Sequence, residues 1–145
     1  MDCLFKAWTK RVKNGRYVLS GVGSLRHRDR DAIAYAAQQL IQVRGVDTSL
    51  VYALVGDTIQ GSLRTCDNTV RPKKFLEKML PEISQYGGDL GGHERMGGFC
   101  LPVKAFQDLS KNKLRGRGEV WEYAVMYLTQ RFYHALGMPC SSQGK

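Results

Sequence analysis

Thr48 to Val55 reads Thr-Ser-Leu-Val-Tyr-Ala-Leu-Val, a continuous β-prone run without a charge. A strand with one face in water alternates apolar and polar residues, whereas an unbroken run belongs to a strand buried on both faces. This stretch therefore demands a sheet covered on both sides, and the rest of the chain has to be fitted around it. Gly56-Asp57 follows as a turn, so the next segment is expected to return antiparallel as a hairpin. In that segment, Thr58 to Thr65, alternation is clean: Ile59, Gly61 and Leu63 face one way, and Gln60, Ser62 and Arg64 the other. A strand that projects Ser62 and Arg64 side by side is either a solvated edge or the wall of an anion site.

The flanking segments supply the cover. Residues 1–16 read as a linker or a short N-terminal element, closed by the turn signal Asn14-Gly15. Tyr17 to Val22 reads as a strand. From Asp31, Ile33, Ala36, Ala37, Leu40 and Ile41 keep helical spacing up to Gly45. Pro72 suits the first turn of a helix whose stripe is Phe75, Leu76, Met79, Leu80 and Ile83, with Pro81 kinking or ending it. A short strand is expected over Gly98 to Val103, a helical turn or two over Ala105 to Leu109, and a loose basic stretch over Lys111 to Gly118. The last helix runs from Glu119, with Trp121, Val125, Leu128, Phe132 and Leu136 as its core stripe. Residues 138–145 are a tail. The expected fold is a single α/β domain with a mixed sheet of about four to five strands and helices packed against it.

Between the second of these helices and the last strand lies Gly87-Gly88-Asp89-Leu90-Gly91-Gly92-His93-Glu94-Arg95-Met96-Gly97-Gly98, half of it glycine in three pairs. Glycine pairs occur where φ must be positive or where something approaches the main chain closely. Free amides of such a loop form an anion-binding concavity to which His93 and Arg95 add donors; a mobile surface loop is the bland alternative. The net charge of +9 points to a polyanionic partner. Cys3, Cys66, Cys100 and Cys140 show no metal or disulfide spacing and read as reduced thiols. No apolar run approaches the roughly 18 residues of a membrane span, and the first residues lack a signal peptide's apolar core. The expectation is a cytoplasmic protein with no membrane partner.

Taken together, Ser62-Leu63-Arg64-Thr65 at a strand end and Gly91-Gly92-His93-Glu94-Arg95-Met96-Gly97-Gly98 entering another strand carry a resemblance. They resemble the pattern Ser-x-Arg-Ser/Thr, helix, Gly-Gly-Gly-His-x-x-Ala-Gly of the DHH-associated C-terminal domain (family 1). That domain occurs in DHH-superfamily phosphoesterases: RecJ-like exonucleases, oligoribonucleases, cyclic-dinucleotide phosphodiesterases and exopolyphosphatase-related proteins. A related domain occurs in alanyl-tRNA synthetases. The chain departs from the pattern at Leu90, in place of the first glycine of the triplet, and at Met96-Gly97, where Ala-Ala or Ala-Gly is usual.

The resemblance implies that residues 17–137 grip a nucleotide or a short single-stranded nucleic acid. Cleavage would belong to a separate DHH catalytic domain that holds manganese. Two-metal hydrolysis needs converging carboxylates and histidine; this chain has three histidines, His27, His93 and His134, and no Asp-His-His run. It is expected to be inactive alone. Within the site, Arg64 would take phosphate oxygens or stack on a base, His93 would donate to phosphate or sugar, Gly91 and Gly92 would offer amides, and Ser62 and Thr65 hydroxyls. Arg95 lies either in the pocket or in solvent. Two other readings stand beside this one: a stand-alone basic RNA- or tRNA-binding module, and a domain whose glycine loop is structural and whose partner is a protein.

Overall fold

β3 (Thr48–Val55) is buried along its whole length and sits inside the sheet, as its sequence requires. In this computed structural model, which describes residues 3–111 and 113–137, β4 (Thr58–Thr65) returns antiparallel beside it, Val55 opposite Thr58 and Thr48 opposite Thr65. The two-residue turn between them holds Gly56 at a φ of 62°, the left-handed conformation that such a turn needs. On the other side of β3 runs β2 (Tyr17–Leu25), parallel to it. Parallel neighbours need a crossover, and α2 (Asp31–Leu40) supplies it. β1 (Val12–Asn14) folds back on β2 as a short hairpin. Beyond β4 come β6 (Met96–Pro102) and then β5 (Asp89–Gly92), both antiparallel, so the order is β1-β2-β3-β4-β6-β5.

The sheet is mixed and six-stranded, slightly larger than the sequence reading expected. One face carries Val18, Val22, Val51, Ala53 and Val55 under α2 and α1 (Cys3–Thr9). The other carries Leu19, Leu50, Tyr52, Leu54, Ile59, Leu63, Phe99 and Leu101 under α3 (Pro72–Met79), α4 (Val103–Ser110) and α5 (Gly116–Ala135). The two covers are unequal. α1 and α2 are short and sit on β2, β3 and β4, which leaves the same face of β6 and β5 largely bare.

α5 begins three residues earlier than expected, at Gly116, and its buried face is Val120, Ala124, Leu128, Phe132 and Ala135. Trp121, Val125 and Leu136 lie only at the margin of the core. Trp121 reaches Tyr52, with ring centroids 5.5 Å apart. The expected tail, Cys140 and Asn112 of the basic stretch lie outside the described residues. No helix among those residues is long and apolar enough to cross a membrane.

Candidate functional site

The glycine stretch is not a loop. His93 donates its N–H to the Met96 carbonyl at 2.7 Å, which closes a two-residue turn at Glu94-Arg95 between β5 and β6. Thr65 N–H donates to the Arg95 carbonyl at 3.0 Å and carries the β4–β6 pairing to the very end of the hairpin. Gly91, Gly92, Gly97 and Gly98 are ladder residues paired across it. Only Gly87, ahead of β5, takes a left-handed φ, at 83°. An amide nest built from positive-φ glycines, as a loop would provide, is therefore absent at these four positions, whose amides lie in the plane of the sheet.

Strand pairing decides which side chains meet. Residues directly opposite in an antiparallel ladder share a face. Ser62 pairs with Gly98 and Gly98 with Gly91, giving one row on the bare face. The next row is Arg64, Met96 and His93, the last held opposite Met96 by the turn hydrogen bond. Two strand spacings set the backbones of Arg64 and His93 about 10 Å apart, within reach of an extended guanidinium. A Cβ on Gly91 would meet nothing within 4 Å, and one on Gly98 would meet only the Gly61 carbonyl, at 3.0 Å. The glycines thus leave a floor of exposed main chain between a serine and the arginine–histidine row. Toward the start of α2 the shelf continues into a groove of about 320 Å³ lined by Arg30, Asp31, Gln60, Ser62, Asp89 and Gly98.

The alternate positions do something else. Gly92 and Gly97 face α3: a Cβ on Gly92 would lie 3.0 Å from the Lys73 amide nitrogen, and one on Gly97 would lie 3.0 Å from Pro72 Cβ. Thr65 is on that side too. Its hydroxyl lies 2.8 Å from that of Thr48 and accepts the Asp67 N–H at 3.0 Å. The structure therefore brings Ser62, Arg64, His93 and Gly91 together and turns Thr65 and Gly92 away from them. Arg95 stands at the turn, where it donates to Asn68 Oδ1 at 3.3 Å.

Arg64 is the electrostatic centre of this shelf. It is half-buried, and burial holds its guanidinium below the ordinary arginine range. The ion pairs among the described residues are Arg16–Asp47 and Arg26–Asp29, so no carboxylate answers Arg64. A partly desolvated cation without a counter-charge among the described residues, beside an exposed imidazole and a glycine floor free of side chains, is equipped to receive an anion with several acceptor oxygens. Among the described residues no group of three or more His, Cys, Asp or Glu could hold a metal ion. The manganese that the resemblance places in a separate DHH domain would find no fitting ligand set among these residues.

No family model matches the chain. It is 34% identical over 117 residues to an uncharacterized protein of Methanocaldococcus jannaschii, a match covering 79% of this chain and 22% of that protein. The chain thus spans about a fifth of the length of the curated relative it matches. Similar solved structures include the C-Ala domain of Aquifex aeolicus alanyl-tRNA synthetase, at 15% identity and TM-score 0.49, covering 70% of this chain and 96% of that one. An exopolyphosphatase-related protein of Bacteroides fragilis gives 12% identity and TM-score 0.48, covering 92% of this chain and 35% of that one. A pGpG-specific phosphodiesterase of Vibrio cholerae gives 14% and 0.41, with 85% of this chain and 38% of that one covered.

Proposed function

We propose that this chain is the substrate-gripping domain of a DHH-type phosphoesterase, binding a phosphate of a nucleotide or of a short single-stranded nucleic acid. It performs no hydrolysis itself; a separate DHH domain carrying manganese does so. The observation that carries the reading is Arg64: half-buried, unanswered by any carboxylate among the described residues, and in one row with His93 over the Gly91–Gly98 floor. Holding a cation in that state costs the folded chain free energy, and an incoming phosphate supplies the missing counter-charge. The two motifs that carried the family resemblance come from separate stretches of sequence and are neighbours across β4, β6 and β5, which is what a shared ligand would require. The net charge of +9 adds long-range attraction for such a ligand.

The test is a titration with a short single-stranded RNA bearing a terminal phosphate, beside the same RNA without it, at two salt concentrations. The expected result is phosphate-dependent binding with a shallow salt slope, weakened tenfold or more by Arg64→Ala and by His93→Ala, a loss of about 1.5–3 kcal/mol for a charged hydrogen bond. Equal binding of both RNAs that collapses with salt and ignores Arg64 would instead make the chain a diffuse basic RNA binder.

A further inference from the structure

The end of the sheet that carries Arg64 and His93 is also the end at which α3 begins, and two cavities meet around its first turn. One, of about 600 Å³, lies between the β1–β2 turn, α3 and the end of α5; the other, of about 540 Å³, lies between α3 and the β5–β6 turn. Val70, Arg71 and Lys74 line both, so the two form one groove around the start of α3. Tyr17 and Phe75 open into the larger part. Their rings are 19° from parallel with centroids 6.2 Å apart, and both stand edge-on to the buried ring of Phe132, at 6.4 and 5.8 Å. Two rings braced from below make a rigid, flat, apolar platform beside the charged side chains of the groove.

The charges along the groove are lopsided. Lys74 and Lys78 are one helical turn apart and Arg71 precedes Lys74 by three residues, so all three project on one side of α3. None of them joins an ion pair among the described residues. Two of the three acids that line the groove are already engaged, which leaves Glu94 at the β5–β6 turn. Asp47 takes Arg16 at 2.5 and 2.9 Å, and Asp67 accepts the N–H and the hydroxyl of Thr69 at 2.8 and 2.7 Å. Free cations beside an aromatic platform are what a single-stranded nucleic acid uses, phosphates on the cations and a base on a ring. A bare polyphosphate would leave the rings idle.

We infer that a single-stranded nucleic acid lies in this groove, one base on the Tyr17–Phe75 pair and its backbone along Lys78, Lys74 and Arg71, with its end passing Arg95 to the seat at Arg64 and His93. The inference rests on the phosphate-binding reading above and extends it from one phosphate to several nucleotides.

The experiment is fluorescence anisotropy of the full chain with terminally phosphorylated, labelled oligoadenylates of one, three and six nucleotides, with inorganic polyphosphate of matching charge as competitor. Affinity should rise at least tenfold from one nucleotide to six, and the salt slope should steepen by about 0.7 for each added phosphate held. K74E/K78E, which alters two exposed side chains, should weaken the hexamer at least tenfold and the mononucleotide less than threefold. Polyphosphate should bind at least about fivefold more weakly than the hexamer, the lower end of one base–ring stack. Equal affinity at all lengths, an unaffected hexamer in K74E/K78E, or polyphosphate as tight as the hexamer would each overturn the groove. If length dependence fails while Arg64-dependent mononucleotide binding persists, only the groove falls. If length dependence persists while Arg64→Ala changes nothing, only the phosphate seat falls.

Discussion

Arg64→Met separates the binding role of this residue from any structural one, because the two roles predict opposite signs. Methionine keeps much of the stem and removes the charge. In the folded chain burial lowers the affinity of the guanidinium for its proton, and no carboxylate among the described residues compensates. A cation whose folded pKa lies below its unfolded one destabilises the fold at every pH at which it is charged, which for arginine is the whole accessible range. The side chain remains partly exposed, so solvent screens much of this cost, and the change in stability should be neutral to favourable, within about 0.5 kcal/mol as for surface substitutions. Binding should move the other way. A charge-assisted hydrogen bond to phosphate is worth about 1.5–3 kcal/mol, so affinity should fall roughly 10- to 150-fold. Calorimetric titration with a terminally phosphorylated mononucleotide, run beside urea unfolding of the same protein, reads both quantities. Destabilisation beyond about 1.5 kcal/mol, outside the surface range, would make Arg64 a structural residue, and an affinity within threefold of the parent would remove it from the site.

The two glycine rows should respond differently to one added methyl. Gly91→Ala meets open space and should unfold at the same urea concentration while binding phosphate more weakly; Gly97→Ala, crowded at 3.0 Å by Pro72 and the Gly91 carbonyl, should lose about 1–3 kcal/mol as overpacked sites do. The reverse ranking would mean that the faces of the hairpin are assigned wrongly. Acid stability tests the rim: the Arg16 hydrogen bond lowers the Asp47 pKa, so the pair stabilises above the unfolded value, about 3.9, and that contribution is lost as pH falls through the lower folded one. The urea midpoint should drop below about pH 4 in the parent and drop less in Asp47→Asn, and identical acid limbs would show that the pair does not couple to folding.

Thr48 to Val55 is legible as a doubly buried strand because so long an apolar run could not face water on either side, and β4 is legible because its alternation is uninterrupted. β1 is not: a strand of three residues is shorter than any period it might display. The stripe of α5 reads one residue off at its start because Val120 and Trp121 are both apolar. Spacing alone cannot say which of two adjacent apolar residues turns inward when the buried ring of Tyr52 also lies within reach of Trp121.

The hairpin shows where sequence reasoning about the site stops. Ser62, Arg64, Gly91 and His93 stand out by their types and their order, yet their neighbours Thr65 and Gly92 belong to the same motifs and face the other way. Glycine carries no hydrophobic signal, so a run of it has no visible period, and both its extended conformation and its two faces stay hidden until the register is known. Once Gly91 is paired with Gly98 and Gly92 with Gly97, the period of two divides one motif between two faces. The first pair keeps the open face beside Arg64 clear of side chains, as the proposed phosphate seat requires. The second lets the start of α3 settle on the sheet, with the Gly92 and Gly97 positions tight against Lys73 and Pro72. A glycine-rich motif in a strand is therefore better read in alternate residues than as a loop. On that reading, the seat proposed at Arg64 and the groove proposed around α3 lie on the two sides of a single hairpin.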